Sequence, residues 1–466
     1  MGGFSNFAIS FSIISILTGA VTLYGYGLDL GGPLEMTLGW PVATIFTLAL
    51  AISMAELCSA FPTSGAMYHW ATALGNPGTG WFVACMNIIG LIAAQAGIDY
   101  SCAQFILPFL RISVSPHNIL LVFALTLIIH GILNQYGVKL VALLNDVSVS
   151  VHIVGVIALV AALLIFAPLQ PVSFLSTSNP HSSIHAPYIW LFLLGLLQAQ
   201  WTYTGFDGSA HMAEETANAR RSAPWGIVLS VAVSGIAGYA LLLTLTLAIH
   251  SVPAVLSAKD AQGNPVPAAI AILSSGLGAR VGNALAALAS MAMWFCGLSC
   301  TTSASRAVYA LARDSGLPFA GFFSRVNRRH GTPGPAIWLI VVASLLTMAW
   351  SGAVPIVTSL STVALYVAYI IPVIFAVRGR HQSPCWISDA RWTVGRSGEF
   401  INLVAIAYTV LISVVLIMPP NQLAGKTLGG VVAILLLMYW LAVRRHFTGP
   451  EWARSTGVLR AEESRP

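Results

Sequence analysis

Apolar stretches of about 20 residues, the length that crosses ~30 Å of hydrocarbon, recur along the chain at 5–28, 38–60, 80–108, 117–135, 139–167, 187–213, 223–250, 281–311, 335–352, 355–377, 399–418 and 427–445. The pattern predicts an all-α polytopic membrane protein with twelve spans. Two of these stretches are interrupted at mid-depth. The sixth breaks at Thr204-Gly205-Phe206-Asp207-Gly208, and the first carries Leu17-Thr18-Gly19 at its middle, so a Thr-Gly pair occurs in both. Glycine weakens a helix and an acid in hydrocarbon is costly. Irregular backbone at that depth survives where it lines a cavity or is buried in protein, and transporters use such broken helices to aim half-helix ends at a solute. Glycines that merely pack helices together are the alternative.

Composition agrees with the pattern. Of 466 residues, 57% are hydrophobic and 8% charged, against about a quarter charged in soluble domains. The net charge of +6 does not indicate nucleic acid, because the basic residues gather in short loops. Lys139, Arg220, Arg221, Arg313, Arg325, Arg328, Arg329, Arg378, Arg380, Arg391, Arg396, Arg444 and Arg445 fall on the side of the termini; Arg111, Lys259, Arg280 and Lys426 fall opposite. The positive-inside rule then makes both termini cytoplasmic, in a cell or plasma membrane. The start, MGGFSNFAISFSII, lacks the basic and small-residue regions of a cleaved signal, so the first span is retained. Trp40, Trp81, Trp190 and Trp440 stand near span ends, where interfacial anchors belong. The six cysteines form no CxxC pair and read as small buried hydrophobes.

Between spans, Ser64 is placed to cap a short helix over 65–74 along the cytoplasmic face, and the long connection 251–279 contains a short helix near 267–276 that is either an outer lid or a connector. No GxxxxGK[ST], HExxH or GxSxG motif is present, which argues against ATP-driven transport and against an enzyme; no cofactor or metal is expected.

Several stretches carry a family resemblance. MAELCSAFPTSGAMYHW (54–70), TGFDGSAHMAEETANARRSAPWGI (204–227) and SRAVYALARDSGLP (305–318) resemble signatures of the amino acid–polyamine–organocation superfamily of permeases. SIISILTGAVTLYGYGLDLGGP (12–33) and AGIDYS (96–101) are similar to the branch of amino-acid and 4-aminobutyrate (GABA) permeases, with choline transporters as relatives. The resemblance implies a five-plus-five inverted repeat, with repeats at 5–167 and 187–378, helices 1 and 6 unwound at the midplane, two further helices over 399–445 and a cytoplasmic tail over 446–466. Relatives also carry a cytoplasmic segment before the first span, which this chain lacks at its given start. The implied activity is secondary transport of an amino acid or small amine, by proton coupling or exchange. A non-transporting nutrient sensor on the same fold and a choline or polyamine permease are the alternatives.

A zwitterion needs donors for its carboxylate and acceptors for its ammonium. Half-helix N–H groups suit the first, and Thr18, Gly19 and Ala20 are expected to supply them, with Leu17 closing the unwound turn. Carbonyls freed around Ile14 and Ser15 and over Thr202–Thr204 suit the second. Ser15, Leu17, Thr18, Gly19, Ala20, Thr204, Gly205, Phe206 and Asp207 are the substrate-binding candidates. Phe206 is either part of a gate beside the substrate or a lipid-facing side chain. Asp207 either caps the second half of span six or handles substrate or protons. His152, which falls where the resemblance puts a proton-coupling lysine, would do an ion's work when protonated, or else remain neutral and structural; Ser299, Thr301, Thr302 and Ser303 are expected to face it. Asp99, with Gln95 and Ser101 in span three, is another proton candidate or part of a patch that binds helices. Glu214, Glu215, Arg221 and Arg306 are gate candidates, ordinary solvated loop charge being the alternative.

Overall fold

In the computed structural model, residues 1–179, 182–351, 354–382, 385–388 and 390–455 are described. The first span is two helices, α1 (Gly3–Ile14) and α2 (Ile16–Thr22), and α3 (Tyr24–Ala60) finishes it and forms the whole of the second. No loop separates those spans, contrary to the expected gap at 29–37. One left-handed residue, Gly32 (φ 72°), reverses the chain inside α3, and Pro33 starts the return helix without needing an N–H partner.

The chain continues through α4 (Met67–Leu74), α5 (Pro77–Phe109), α6 (Pro116–Gln135) and α7 (Val138–Phe166). Asn76 and Ser115 cap α5 and α6 by accepting from the Thr79 and Asn118 N–H groups, each with proline as first helical residue. The sixth span comprises α8 (Tyr188–Gly195), α9 (Leu197–Thr202) and α10 (Gly208–His211), followed by α11 (Ala219–Leu247). Short helices α12 (Val252–Leu256) and α13 (Ala268–Leu277) lead into α14 (Ala279–Arg313), and α15 (Ala320–Phe323) precedes α16 (Gly334–Ser351) and α17 (Val354–Gln382). The remainder is α18 (Cys385–Ser388), α19 (Gly398–Ile417), α20 (Gln422–Met438) and α21 (Glu451–Ser455). No strand occurs among the described residues. Residues 456–466 of the expected tail lie outside them.

The spans divide by what they face. Helices α5, α14 and α17 are mostly buried and surround the first and sixth spans, whereas α6, α7 and α20 expose large apolar side chains such as Leu121, Ile157 and Leu437. Exposed apolar surface of that kind is what lipid covers. Two sequence expectations fail here. Trp40 and Trp81 are core residues that donate to the Gly235 and Gly316 carbonyls, 2.9 and 2.8 Å away, while Trp440 remains exposed as an anchor would. Helix α4 is buried along its length rather than lying on a surface, and Ser64 does not cap it.

Candidate functional site

Both interruptions are real breaks, and each packs against the other. In the first span the helix stops at Ser15, which adopts a left-handed conformation (φ 35°, ψ 86°). That conformation costs a serine ~1–3 kcal/mol, so surrounding contacts must hold it. In the sixth span Gly205 (φ 88°) starts the turn between α9 and α10. A Cβ on Gly205 would stand 2.9 Å from Ile13 Cβ, and one on Gly19 would stand 2.6 Å from Thr202 Cα. The two glycines therefore let the broken spans pack closely, Gly19 against the Thr202 backbone and Gly205 against the Ile13 side chain. Gly19 serves helix contact, where the sequence suggested ligand approach.

Polar contacts extend the pairing in an antiparallel sense. Asn6 Nδ2 donates to the Ser209 carbonyl and Thr216 Oγ1, both at 2.9 Å; Ser10 Oγ donates to the Phe206 carbonyl at 2.7 Å; and Gln198 Nε2 donates to the Ala20 carbonyl at 2.9 Å. The start of α10 is served by Ser10 Oγ, 2.7 Å from the Ser209 N–H. Asp207 does not cap that helix: its carboxyl turns away to Tyr369 Oη (2.7 Å), Asn87 Nδ2 (3.3 Å) and His211 Nε2 (3.2 Å).

The breaks leave unused backbone groups. The Ser15 carbonyl accepts from Thr18 and Gly19 N–H at 2.8 and 3.0 Å. Of the four N–H groups a helix start leaves open, those of Ile16 and Leu17 thus find no partner among the described residues. The donors expected at Thr18, Gly19 and Ala20 sit about a turn too late, because the second half-helix begins at Ile16. On the acceptor side, the carbonyls of Ile14, Thr202, Tyr203 and Thr204 receive no described hydrogen bond. Leu17, Ala20 and Phe206 are fully buried and Thr18 and Thr204 nearly so; Phe206 packs on Tyr369 with ring centroids 4.9 Å apart, so it does not face lipid.

The chain matches the amino acid permease family model over residues 1–443. It is 34% identical to the amino-acid permease BAT1 of Arabidopsis thaliana, covering 96% of this chain and 92% of that one. The chain belongs to the amino acid permease family. A BAT1 homolog of Oryza sativa subsp. japonica is 33% identical, with 96% of this chain and 91% of that one covered, and the GABA-specific permease of Saccharomyces cerevisiae is 28% identical, with 90% and 76% covered. This permease is thus a multi-pass integral membrane protein and a transporter, not an enzyme.

Around the breaks the permease arranges three sets of ionisable groups. His152 of α7 is fully buried, its Nδ1 2.8 Å from the Ser148 carbonyl and its Nε2 2.6 Å from Ser15 Oγ. A carbonyl only accepts, so Nδ1 carries the hydrogen and Nε2 of the neutral ring accepts from the Ser15 hydroxyl. Ser15 Oγ also lies 2.5 Å from Thr18 Oγ1. The span-eight hydroxyls do not face His152: Ser299 donates to Asn145, Thr302 donates to Asn134 Oδ1 at 2.7 Å, Thr301 bonds back to its own helix and Ser303 has no described partner. The hydroxyl that meets Nε2 comes from the break itself, while the Ser148 hydroxyl of α7 lies 3.2 Å from Nδ1.

Asp99 accepts from Gln95 Nε2 at 2.6 Å and from His130 Nδ1 at 3.0 Å, with the Asp99 and His130 side chains both wholly buried. Ser101 bonds to its own helix. Gly297 of α14 packs directly against this pair, and the next residue back, Cys296, donates to the Ile13 carbonyl at 3.1 Å. Asp99 is thereby tied to the first break through one turn of α14.

On the side of the termini, Glu215 pairs with Arg306 at 3.2 Å and Glu214 with Arg313 at 3.1 Å; the Met1 ammonium donates to the Glu215 carbonyl at 2.6 Å, and Ser64 N–H to Glu214 at 3.0 Å. Arg221 is exposed and forms no ion pair among the described residues; one turn of helix carries it outward. Partial burial opposes ionisation of Glu214, but the bonds from Arg313 and Ser64 outweigh it and hold the carboxyl below the usual range. Its contribution is therefore complete above the ordinary carboxylate pKa and fades only as pH falls through the lowered value. At this exposure the pair is worth ~0–1 kcal/mol.

Four pairings were not foreseen from the sequence: Asp207 with Tyr369, Asn87 and His211, and Asp99 with His130. Tyr369 is central, donating to Asp207 while its oxygen accepts the Gly205 N–H at 3.1 Å. Its signal in the sequence was a hydroxyl inside an apolar span. Tyr369→Phe leaves two buried polar groups short of a partner, at ~1–3 kcal/mol each, and is expected to lower thermal stability in detergent and to slow uptake by ~tenfold or more. Unchanged melting and uptake would show that the clamp is dispensable.

Proposed function

We propose that this permease carries a zwitterionic amino acid or a related small amine, such as 4-aminobutyrate, across the membrane by alternating access, in symport with protons or by exchange. The observation that carries the reading is the pairing at the two breaks of unspent donors, Ile16 and Leu17 N–H, with unspent acceptors, the Ile14 and Thr202–Thr204 carbonyls. These are the groups a carboxylate and an ammonium require. Ser15, Leu17, Thr18 and Thr204 to Asp207 border that space, with Gly19 and Ala20 holding the second half-helix against α9. The relative from Saccharomyces cerevisiae named as GABA-specific supports a small amino acid as cargo. The antiparallel contacts between spans one and six support the division into inverted repeats at 5–167 and 187–378, with 399–445 outside them. Arginines on the side of the termini support a cytoplasmic location for both ends.

Proton coupling follows from the wiring of Ser15. With His152 neutral, the Ser15 hydroxyl is committed to Nε2. A proton on Nε2 turns that atom into a donor, and the Ser15 hydrogen must turn to Thr18 Oγ1, which frees the Thr18 hydroxyl to donate elsewhere. Protonation so changes what the first break offers a solute. Asp207 has its own proton to account for: His211 Nδ1 lies 3.0 Å from the Ser64 carbonyl and must carry hydrogen, so contact between Nε2 and the Asp207 carboxyl requires a second proton in the pair. Asp99, paired with His130, completes the proton candidates, and the Glu214–Arg313 and Glu215–Arg306 pairs form the inner gate.

Counterflow in liposomes reconstituted with the purified permease tests the reading, with amino acids, 4-aminobutyrate, choline and polyamines as solutes at two pH values. Exchange of a zwitterion is expected; exchange of choline or polyamines alone, or of nothing, would sink it.

A further inference from the structure

The second span carries an acid that the transport site does not use. Glu35 of α3 is 1% exposed, and neither carboxyl oxygen has a hydrogen-bond partner. It stands where the far halves of both broken spans meet the second span. A Cβ on Gly27 would lie 2.8 Å from its Oε2, one on Gly39 2.5 Å from its Oε1, and one on Gly195 of α8 2.8 Å from its Cγ; Gly31 presses on its Cβ. Four glycines from three segments form a cradle fitted to this one side chain.

No charged side chain answers it among the described residues. The titratable groups facing it are hydroxyls committed elsewhere: Tyr24 bonds to Thr246 Oγ1 at 2.7 Å, and Tyr188 of α8 donates to the Gly31 carbonyl at 3.0 Å. Along its own helix, Tyr26 is bonded to Asn421 and Asp29 to Ser183. Helix α9 contains no charge, the arginines of α11 lie at its opposite end, α19 offers Tyr408, whose hydroxyl takes the Gln200 amide, and His185 before α8 is exposed. A carboxylate that loses its water and gains no donor is far less stable than the neutral acid. The packed arrangement is therefore one that binds hydrogen ion. Separation of the far halves would admit water and let the proton leave.

We propose that Glu35 is a proton-binding site on the far side of the membrane, loaded when the far halves of spans one and six close on span two and unloaded when they part. The proposal rests on the permease reading for its role in transport, but the protonated carboxyl can be tested without transport. In infrared spectra of the purified protein at neutral pH, the wild type is expected to show a protonated-carboxyl band that Glu35→Gln removes and Glu35→Asp shifts. In proteoliposomes, Glu35→Gln, which has the shape of the protonated acid, is expected to keep counterflow and to lose the dependence of uptake on pH at the far face. A wild-type spectrum without the band, or a Glu35→Gln protein with unaltered dependence on far-side pH, overturns the proposal. Should Glu35→Gln not fold, the Glu35→Asp shift decides the spectroscopic arm. A wild type that shows the band but moves no solute would refute the transport reading and leave the proton site standing.

Discussion

Gly205→Ala is expected to abolish uptake while the protein still reaches the membrane. At φ 88° an alanine is strained by ~1–2 kcal/mol, and its methyl group would overlap the Ile13 side chain, an overpacking that costs a further ~1–3 kcal/mol. Typical domains hold 5–15 kcal/mol in reserve, so the fold survives. The break does not, because relief requires either the turn or Ile13 to move, and Ile13 belongs to the residues leading into Ser15. Gly19→Ala should behave alike, since its methyl would meet the Thr202 backbone. Gly429→Ala on α20 is the contrast: nothing lies within 4 Å of the added atom, and a helical glycine replaced in open space gains ~0.5–1 kcal/mol. Uptake measured beside membrane abundance decides. Wild-type transport by Gly205→Ala would mean that the contact between breaks is incidental.

The glycines were legible because they interrupt otherwise unbroken apolar runs, and a break at membrane depth has few physical reasons. The residue that bends the first span was not legible. Ser15 has no intrinsic taste for a left-handed conformation; it is held there by bonds to His152 and Thr18, the first of them 137 residues away, and periodicity carries no trace of such contacts. The same distance hid Tyr369 and Asn87 from Asp207 and His130 from Asp99. Without those partners Asp207 looked like a local cap, the role that Ser10 fills from another span. Glu35 was missed for a different reason. The Gly-Gly-Pro run before it reads as a loop, and an acid in a loop is unremarkable; the reversal at the single residue Gly32 places Glu35 in the first turn of the return helix, where it is buried. The contact of Glu215 with buried Arg306 needs no long-range information beyond opposite signs on one side of the membrane. Arg221 stays outside it, exposed by its phase on α11.

His152→Gln is expected to remove the proton dependence of uptake and leave exchange largely intact. Glutamine keeps one donor and one acceptor, enough to span the Ser148 carbonyl and the Ser15 hydroxyl, but it cannot take up a proton. The coupled state loses a charge-assisted hydrogen bond worth ~1.5–3 kcal/mol, so uptake driven by an imposed pH gradient should fall by ~tenfold to a hundredfold while counterflow at equal pH changes little. Ser15→Ala tests the relay from its other end. It leaves the histidine in place, removes the hydroxyl that reverses, and should uncouple to a similar degree; a purely structural histidine would lose stability in both variants with no selective effect on the gradient-driven rate. The side of the membrane separates this site from Glu35, since the His152 variant should respond weakly to pH on either face and the Glu35 variant should lose only its response to the far one. A His152→Gln protein that follows pH as the wild type does would move proton coupling to the Asp207–His211 pair, where Asp207→Asn becomes the next variant to make.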